Sequence, residues 1–160
     1  MKKMITVGSL LALMLSLFSL PSLVSATALT VGNDTTGRAF TDGLSNFTVI
    51  DTNHPATGTG GLTGIGYYAA NANIFRFVLV DSGNVVKWVS GEITPAGLGV
   101  NTYTLANPVY IAAGWNLGVY FKTSGAITFD TSGATASSTA AGSGAPVASS
   151  TLAYSASGSR

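Results

Sequence analysis

The run Pro108-Val109-Tyr110-Ile111, Ala112-Ala113-Gly114, Trp115-Asn116-Leu117-Gly118-Val119-Tyr120-Phe121, followed after a short break by Ala126-Ile127-Thr128-Phe129, decides the fold. It divides into three strand-like pieces with turn residues between them. In the middle piece Trp115, Leu117, Val119 and Phe121 share one side of a two-residue period, and Asn116, Gly118 and Tyr120 share the other. Successive side chains of a strand point to opposite faces, so this is the pattern of a half-buried β-strand. The chain before it supplies similar strands and the chain after it loses almost all bulky residues. The run therefore sits at the centre of a β-sheet core.

Working outward toward the N-terminus, residues 102–105 hold a short strand with Tyr103 and Leu105 in phase, while residues 91–100, with Pro95, Gly97 and Gly99, cannot continue a central strand. Residues 73–80 and 85–90 form the best-defined pair. Phe75, Phe77 and Leu79 alternate with Ile74, Arg76, Val78 and Val80, both faces are largely apolar, and a central strand is expected. The intervening Asp81-Ser82-Gly83-Asn84 predicts an antiparallel hairpin with Gly83 supplying positive φ. Residues 61–70 give a glycine-containing strand with Ile65 and Tyr67 on one face and Tyr68 on the other. Residues 45–50 give a strand with Phe47 and Val49 facing together. Residues 52–61 read as a long exposed loop, a natural place for a site on a rigid scaffold. Two short strands are expected in residues 27–40, around a Gly32-Asn33-Asp34 turn.

Toward the C-terminus nearly every residue from 131 to 150 is Ser, Thr, Gly or Ala. Such side chains bury too little area to offset backbone ordering unless neighbours pin the segment, so a mobile loop is expected. A last strand is expected in residues 147–155, with Leu152 and Tyr154 in phase. The alternative is a disordered tail from residue 131 onward.

Residues 1–26 have the organisation of a secretory signal peptide: Lys2 and Lys3, an apolar run from Leu10 to Leu20 interrupted by Ser16 and Ser19, then Val24-Ser25-Ala26 as a small-residue cleavage site. Ala26-Thr27-Ala28 offers a second site two residues on. The expected mature chain, residues 27–160, is long enough for one domain with a core. It carries Arg38, Arg76, Lys87, Lys122 and Arg160 against Asp34, Asp42, Asp51, Asp81, Glu92 and Asp130, a net charge of −1. No basic footprint for nucleic acid remains. Without cysteine, disulfides and thiolate metal sites are excluded. No second apolar stretch reaches membrane-spanning length, so no transmembrane anchor is expected after cleavage.

No stretch has helical periodicity, and about nine short strands separated by turn signals predict an all-β fold: a single-domain antiparallel β-sandwich of jelly-roll type. The order Leu105, Pro108-Val109, Ala113-Gly114-Trp115, Leu117-Gly118, Tyr120-Phe121, Ile127, Phe129-Asp130, a variable loop and Tyr154-Ser155 resembles the C-terminal half of secreted bacterial jelly-roll domains of the carbohydrate-binding-module type. Those domains have a Pro-Val strand, a Gly turn, a Leu/Ile-Gly-x-Tyr-Phe strand and a late Tyr-Ser strand. The resemblance implies the fold and a glycan-binding role. Where that family has an acidic residue after the Gly turn this chain has Trp115, so no ligand residue carries over.

The residues for catalysis are sparse. His54 is the only histidine and Glu92 the only glutamate. A Ser–His54–Asp51 triad lacks a Gly-x-Ser-x-Gly elbow, and a Glu92–aspartate glycosidase pair has no supporting spacing. No enzymatic activity is expected. Asp51, Asn53 and His54 in one loop, and Asp81, Ser82 and Asn84 in another, offer oxygen ligands of the type calcium takes, with Asp51, Asn53 and Asp81 the candidate ligands. Short Asx-rich stretches more commonly cap their own turns. Asn33-Asp34-Thr35 and Asn46-Phe47-Thr48 match glycosylation sequons. Trp88, Tyr68 and Tyr120 fall opposite the main apolar sets, where an aromatic ring stacks on a sugar or a partner protein; the competing role is a second core layer. Two functions follow as expectations. One is a secreted, non-catalytic module that binds glycan or a cell-surface or matrix component. The other is a self-assembling subunit of an extracellular fibre or matrix, whose N-terminal strand at residues 27–31 adds to a neighbouring copy.

Overall fold

The alternation in the central run is realised as a strand flanked on both sides. In the computed structural model, which describes residues 29–129 and 135–159, there is no helix among the described residues and every sheet is antiparallel. The strands are β1 (Phe40–Thr41), β2 (Phe47–Asp51), β3 (Gly60–Ala69), β4 (Phe75–Val80), β5 (Val86–Val89), β6 (Gly99–Ile111), β7 (Asn116–Phe121), β8 (Thr128–Phe129), β9 (Thr135–Ser138) and β10 (Ala156–Ser159). The segment read as a signal peptide, with both cleavage positions, lies outside the described residues.

The pairings nest. β4 pairs with β5, β3 with β6, β2 with β7 and β1 with β8, as though one long hairpin bent at the β4–β5 turn had been rolled up. That is the jelly roll. β4 also pairs with β7, and a bridge from Ala69 to Ile127 ties β3 to the chain entering β8. Two layers result: one is the six-stranded sheet β10-β9-β2-β7-β4-β5, and the other is made of two two-stranded sheets, β1-β8 and β3-β6, joined by that single bridge.

Between the layers lies an aromatic core. Phe47 stacks on Phe121 with ring centroids 5.2 Å apart, and Tyr67 meets Phe75 and Phe77 edge-on. Each such pair adds about 0.5–1.5 kcal/mol beyond the area it buries. The opposite face of the six-stranded sheet is also apolar, with Ile50, Val78, Val80, Val86 and Tyr120 buried on it. The chain after β9 covers that face. It reaches the far edge, where Val85 bridges Thr151 and Val86 exchanges hydrogen bonds with Ser149 and Ser150, then returns to β10, packing Leu152 and Tyr154 onto the apolar patch.

Several expectations are corrected. The segment expected to be a mobile loop contains β9, which is pinned to the edge of β2, and Thr139 exchanges hydrogen bonds with Thr48. Residues 131–134 lie outside the described residues. Residues 147–155 are not a strand but the return of this strap, and the last strand is β10. Residues 102–105 and 108–111 belong to one strand, β6, because Pro108 falls within a bulge opposite Thr63, where a missing N–H is tolerated. In the β4–β5 turn the positive φ belongs to Asn84 (63°), not Gly83. Asn tolerates that region, and the Asp81 carboxylate accepts the N–H groups of Gly83 and Val85, which fixes the turn around it. Residues 29–31 form no strand. Leu29 and Val31 pack against the buried cluster of Ala56, Leu79 and Ile111, and Thr57 and His54 bind the adjoining backbone, so this part of the expected donor strand is already used within its own chain.

Candidate functional site

β3 and β8 meet only at the Ala69–Ile127 bridge, so most of that β3 edge has no ladder partner among the described residues. There the two layers part, and residues 32–38 span the gap. Two glycines let the backbone pass. Gly32, at φ 78°, lies against Leu117 and donates its N–H to the His54 carbonyl at 2.8 Å. Gly37 lies against the Tyr68 ring so closely that a Cβ there would fall 2.7 Å from it.

The result is a cleft of about 170 Å³. Its floor is Val49, Phe77, Leu117 and Val119 from the six-stranded sheet, and its walls are Tyr67, Tyr68 and Ile127. Val49, Leu117, Val119 and Ile127 contribute to the inner core yet stay only half-buried, because the sandwich is not closed over them. The rim is polar: Asn33, Asp34, Thr36, Arg38, Asp42, Asp51 and Thr128. Arg38 organises it. Its Nη2 lies 2.6 Å from Asp34 Oδ1, its Nη1 donates to the carbonyls of Asp34 and Thr36, and its backbone N–H donates to Thr128 Oγ1 at 3.0 Å. The Thr36 N–H, and then the Arg38 guanidinium, hold the Asp34 carboxyl below the usual carboxylate range, so it is ionised at neutral pH. Asp51 is held by its own turn, accepting from the N–H groups of Asn53 and His54, with Oδ2 2.8 Å from His54 Nδ1.

Three carboxylates and one guanidinium around an apolar floor can bind a molecule that has hydroxyl groups at its edges and C–H groups on its face. Carboxylates accept from hydroxyls, the guanidinium donates, and a tyrosine ring covers the apolar side.

Of the aromatics singled out by periodicity, Tyr68 lines this cleft. Tyr120 is 4% exposed, packed under the strap, and its hydroxyl donates to Asn46 Oδ1 at 2.9 Å. Trp88 is half-buried and packs inward against both inner core groups. The competing core role describes both. The structure therefore does not bring Trp88, Tyr68 and Tyr120 together. An exposed aromatic does lie elsewhere: Tyr110, 61% exposed, meets Trp115 edge-on at 5.6 Å.

Asp51, Asn53 and Asp81 do not converge either. Asp51 and Asp81 each cap a turn, and Lys87 Nζ lies 2.8 Å from Asp81 and holds its carboxyl below the usual range together with the Val85 N–H. Among the described residues no three acidic or imidazole groups are grouped to hold a metal ion. Among the described residues no serine hydroxyl bonds to the His54 ring, and Glu92 lies between Lys122 and Arg76, which depress its pKa in that order. The loop at residues 52–59 lines no part of the cleft. Ala56 instead exchanges backbone hydrogen bonds with Trp115 and Gly114, fixing that end of the sandwich. The residues that sequence reasoning missed are Asp34, Arg38 and Asp42. Their one sequence signal is an Asp–Arg pair four apart, flanked by glycines in a segment with no regular period.

No family model, curated protein or solved structure matches the chain.

Proposed function

We propose that the chain is an exported, non-catalytic module that binds a single carbohydrate ring, or the end of a glycan chain, in the cleft between β3 and β8. The observation that carries this reading is the set of inward-facing but half-buried Val49, Leu117, Val119 and Ile127 beneath a rim of Asp34, Arg38, Asp42 and Thr128. Apolar side chains at the mouth of a core favour an occupant that removes them from water, and a sugar offers an apolar face with hydroxyls at its margin. The size supports one ring: drug-sized sites run to ~300–1,000 Å³ and this cleft is smaller. A binding role is favoured over catalysis because Asp34 and Asp51 are already committed, to Arg38 and His54. Export rests on the organisation of residues 1–26.

The test is titration of the isotopically labelled protein with a panel of monosaccharides and short glycans, followed by amide chemical shifts. A binding sugar is expected to shift residues 34–42, Tyr68 and Thr128. Asp42→Asn is expected to weaken it by about tenfold, the loss of one charge-assisted hydrogen bond, in a variant whose amide spectrum shows it folded. Absence of binding across the panel, or shifts confined to another surface, removes the proposal.

A further inference from the structure

The cleft between β3 and β8 has a charge of its own. Asp34, Asp42 and Asp51 line it, and among the described residues Arg38 is the one basic side chain that does so. The other described charges lie elsewhere and are paired among themselves, Lys87 with Asp81, and Arg76 and Lys122 with Glu92. One guanidinium offsets one of the three carboxylates, and Arg38 is turned to Asp34 at 2.6 Å and to the carbonyls of Asp34 and Thr36. The His54 ring lies outside the lining, with Nδ1 2.8 Å from Asp51, and even a protonated His54 leaves the carboxylates in excess.

The excess matters because the site is not open water. Val49, Leu117, Val119 and Ile127 at the floor and the Tyr67 and Tyr68 rings at the walls screen a charge less than bulk solvent does, and a lined cleft concentrates the field of its rim. An occupant that displaces water strengthens both effects. A neutral occupant leaves the excess uncompensated, an anion adds repulsion, and a cation offsets it. A bare metal ion is the wrong cation. Among the described residues no three acidic or imidazole groups are grouped to hold one, and the four aliphatic side chains of the lining offer it no oxygen ligand. The complement is an organic cation with an apolar body.

We infer that the ring this cleft selects carries a free, protonated amine, so that its ligand is an amino sugar in preference to a neutral, N-acetylated or acidic one. The inference rests on reading the cleft as a carbohydrate site and adds the charge of the ligand. An ammonium has three donors and no acceptor, and ionised rim carboxylates are acceptors only. N-acetylation removes the charge and adds bulk in a cleft of about 170 Å³. A sugar acid meets Asp34, Asp42 and Asp51 with their own sign, while the one guanidinium is held by Asp34. The hydroxyls of the ring are left to Asn33, Thr36 and Thr128 at the rim. Its C–H face is left to Tyr68, whose ring also attracts a cation.

The experiment is titration of the isotopically labelled chain with glucosamine, glucose, N-acetylglucosamine, glucuronate and cyclohexylammonium at neutral pH, at low and at physiological salt. Amide shifts of residues 34–42, Tyr68 and Thr128 report binding. Glucosamine is expected to bind about tenfold or more tighter than glucose at low salt, with the margin shrinking as salt is added. N-acetylglucosamine is expected to have no advantage over glucose, and glucuronate to bind weakest. Asp42→Asn and Asp51→Asn each narrow the margin. Both keep a carbonyl acceptor where the carboxylate was, and two separate variants keep the test decisive if one of them fails to fold. Glucose that binds in the cleft as tightly as glucosamine, or a margin that neither salt nor a folded variant changes, overturns this inference and leaves the carbohydrate reading standing. Cyclohexylammonium that matches glucosamine while glucose is silent overturns both, because the site then reads charge and not a sugar. Absence of shifts at the cleft with all five compounds likewise removes both.

Discussion

Tyr154 shows what a single position contributes when periodicity and solvent disagree. Its ring packs on the outer face of the six-stranded sheet, its hydroxyl is buried without a hydrogen-bond partner, and burial pushes its pKa up to about 12. Raised above its ordinary value of 10.0, the phenol contributes stability that is fully present below pH 10 and is lost as pH rises toward the folded-state value. Tyr154→Phe is therefore expected to reduce alkaline destabilisation above pH 10. At neutral pH it should leave stability unchanged or raise it by about 1 kcal/mol, since it removes an unpaired buried hydroxyl. Urea unfolding at a series of pH values measures both, and an unchanged alkaline slope would contradict the assignment. The same reasoning explains the candidate site. Alternation tells which side of a strand a residue faces, so it sets Tyr68 and Tyr120 opposite their apolar neighbours. It cannot tell what covers that side. Tyr120 is covered by Leu152 and Tyr154, more than thirty residues away in sequence, while Tyr68 borders a gap in the layers. Asp34, Arg38 and Asp42 were illegible for a related reason: they are brought to the cleft by an irregular segment whose path is set by tertiary contacts.

β7 is the element with least room for change. It lies between β2 and β4, and Gly118 stands opposite both Ile50 and Val78. The Ile50 side chain occupies the space above Gly118, so an added Cβ would run into that side chain and into the Val49 carbonyl. Gly118→Ala is expected to cost about 1–3 kcal/mol, the usual range for overpacking. Gly91→Ala, where nothing lies within 4 Å of the new atom, is expected to cost far less. Midpoints of urea denaturation compare the two, and equal losses would show that the packing at Gly118 is looser than described. The elements legible in the sequence were those defined by dense alternation and a local turn: β2, β4, β5 and β7. In sequence β6 reads as two strands because proline ordinarily interrupts a ladder, and only the edge position and the bulge make Pro108 compatible with one strand. β9 was unreadable because its own side chains contribute almost nothing; Ser137, Ser138 and Ala136 are ordered by the backbone partners that β2 offers.

Across the whole molecule the strap changes what the sandwich can expose. A jelly roll of two layers leaves the outer face of each sheet to solvent, but here the chain after β9 runs to the β5 edge and back, enclosing a second apolar cluster on the six-stranded sheet. That face is closed to partners, and the surfaces left for recognition are the cleft and the β6 side. The strap is also part of the stability of the fold. Removing residues 135–160 exposes Ile50, Val78, Val80, Val86 and Tyr120 together. At about 1.5–3 kcal/mol for each large side chain returned to water, the loss matches the whole ~5–15 kcal/mol stability of an ordinary domain. A chain ending at residue 134 is therefore expected to lose cooperative unfolding and to bind a hydrophobic dye, whereas Leu152→Ala in the full chain lowers the melting temperature and keeps the transition cooperative. Calorimetry distinguishes these outcomes. A truncated chain that unfolds cooperatively at the full-length temperature would mean that the two inner layers suffice and that the strap merely rests on them. The expected collapse would mean that a segment of Ser, Thr, Gly and Ala, too poor in bulk to order itself, is retained because its two large residues, Leu152 and Tyr154, land where the sheet has apolar area to cover.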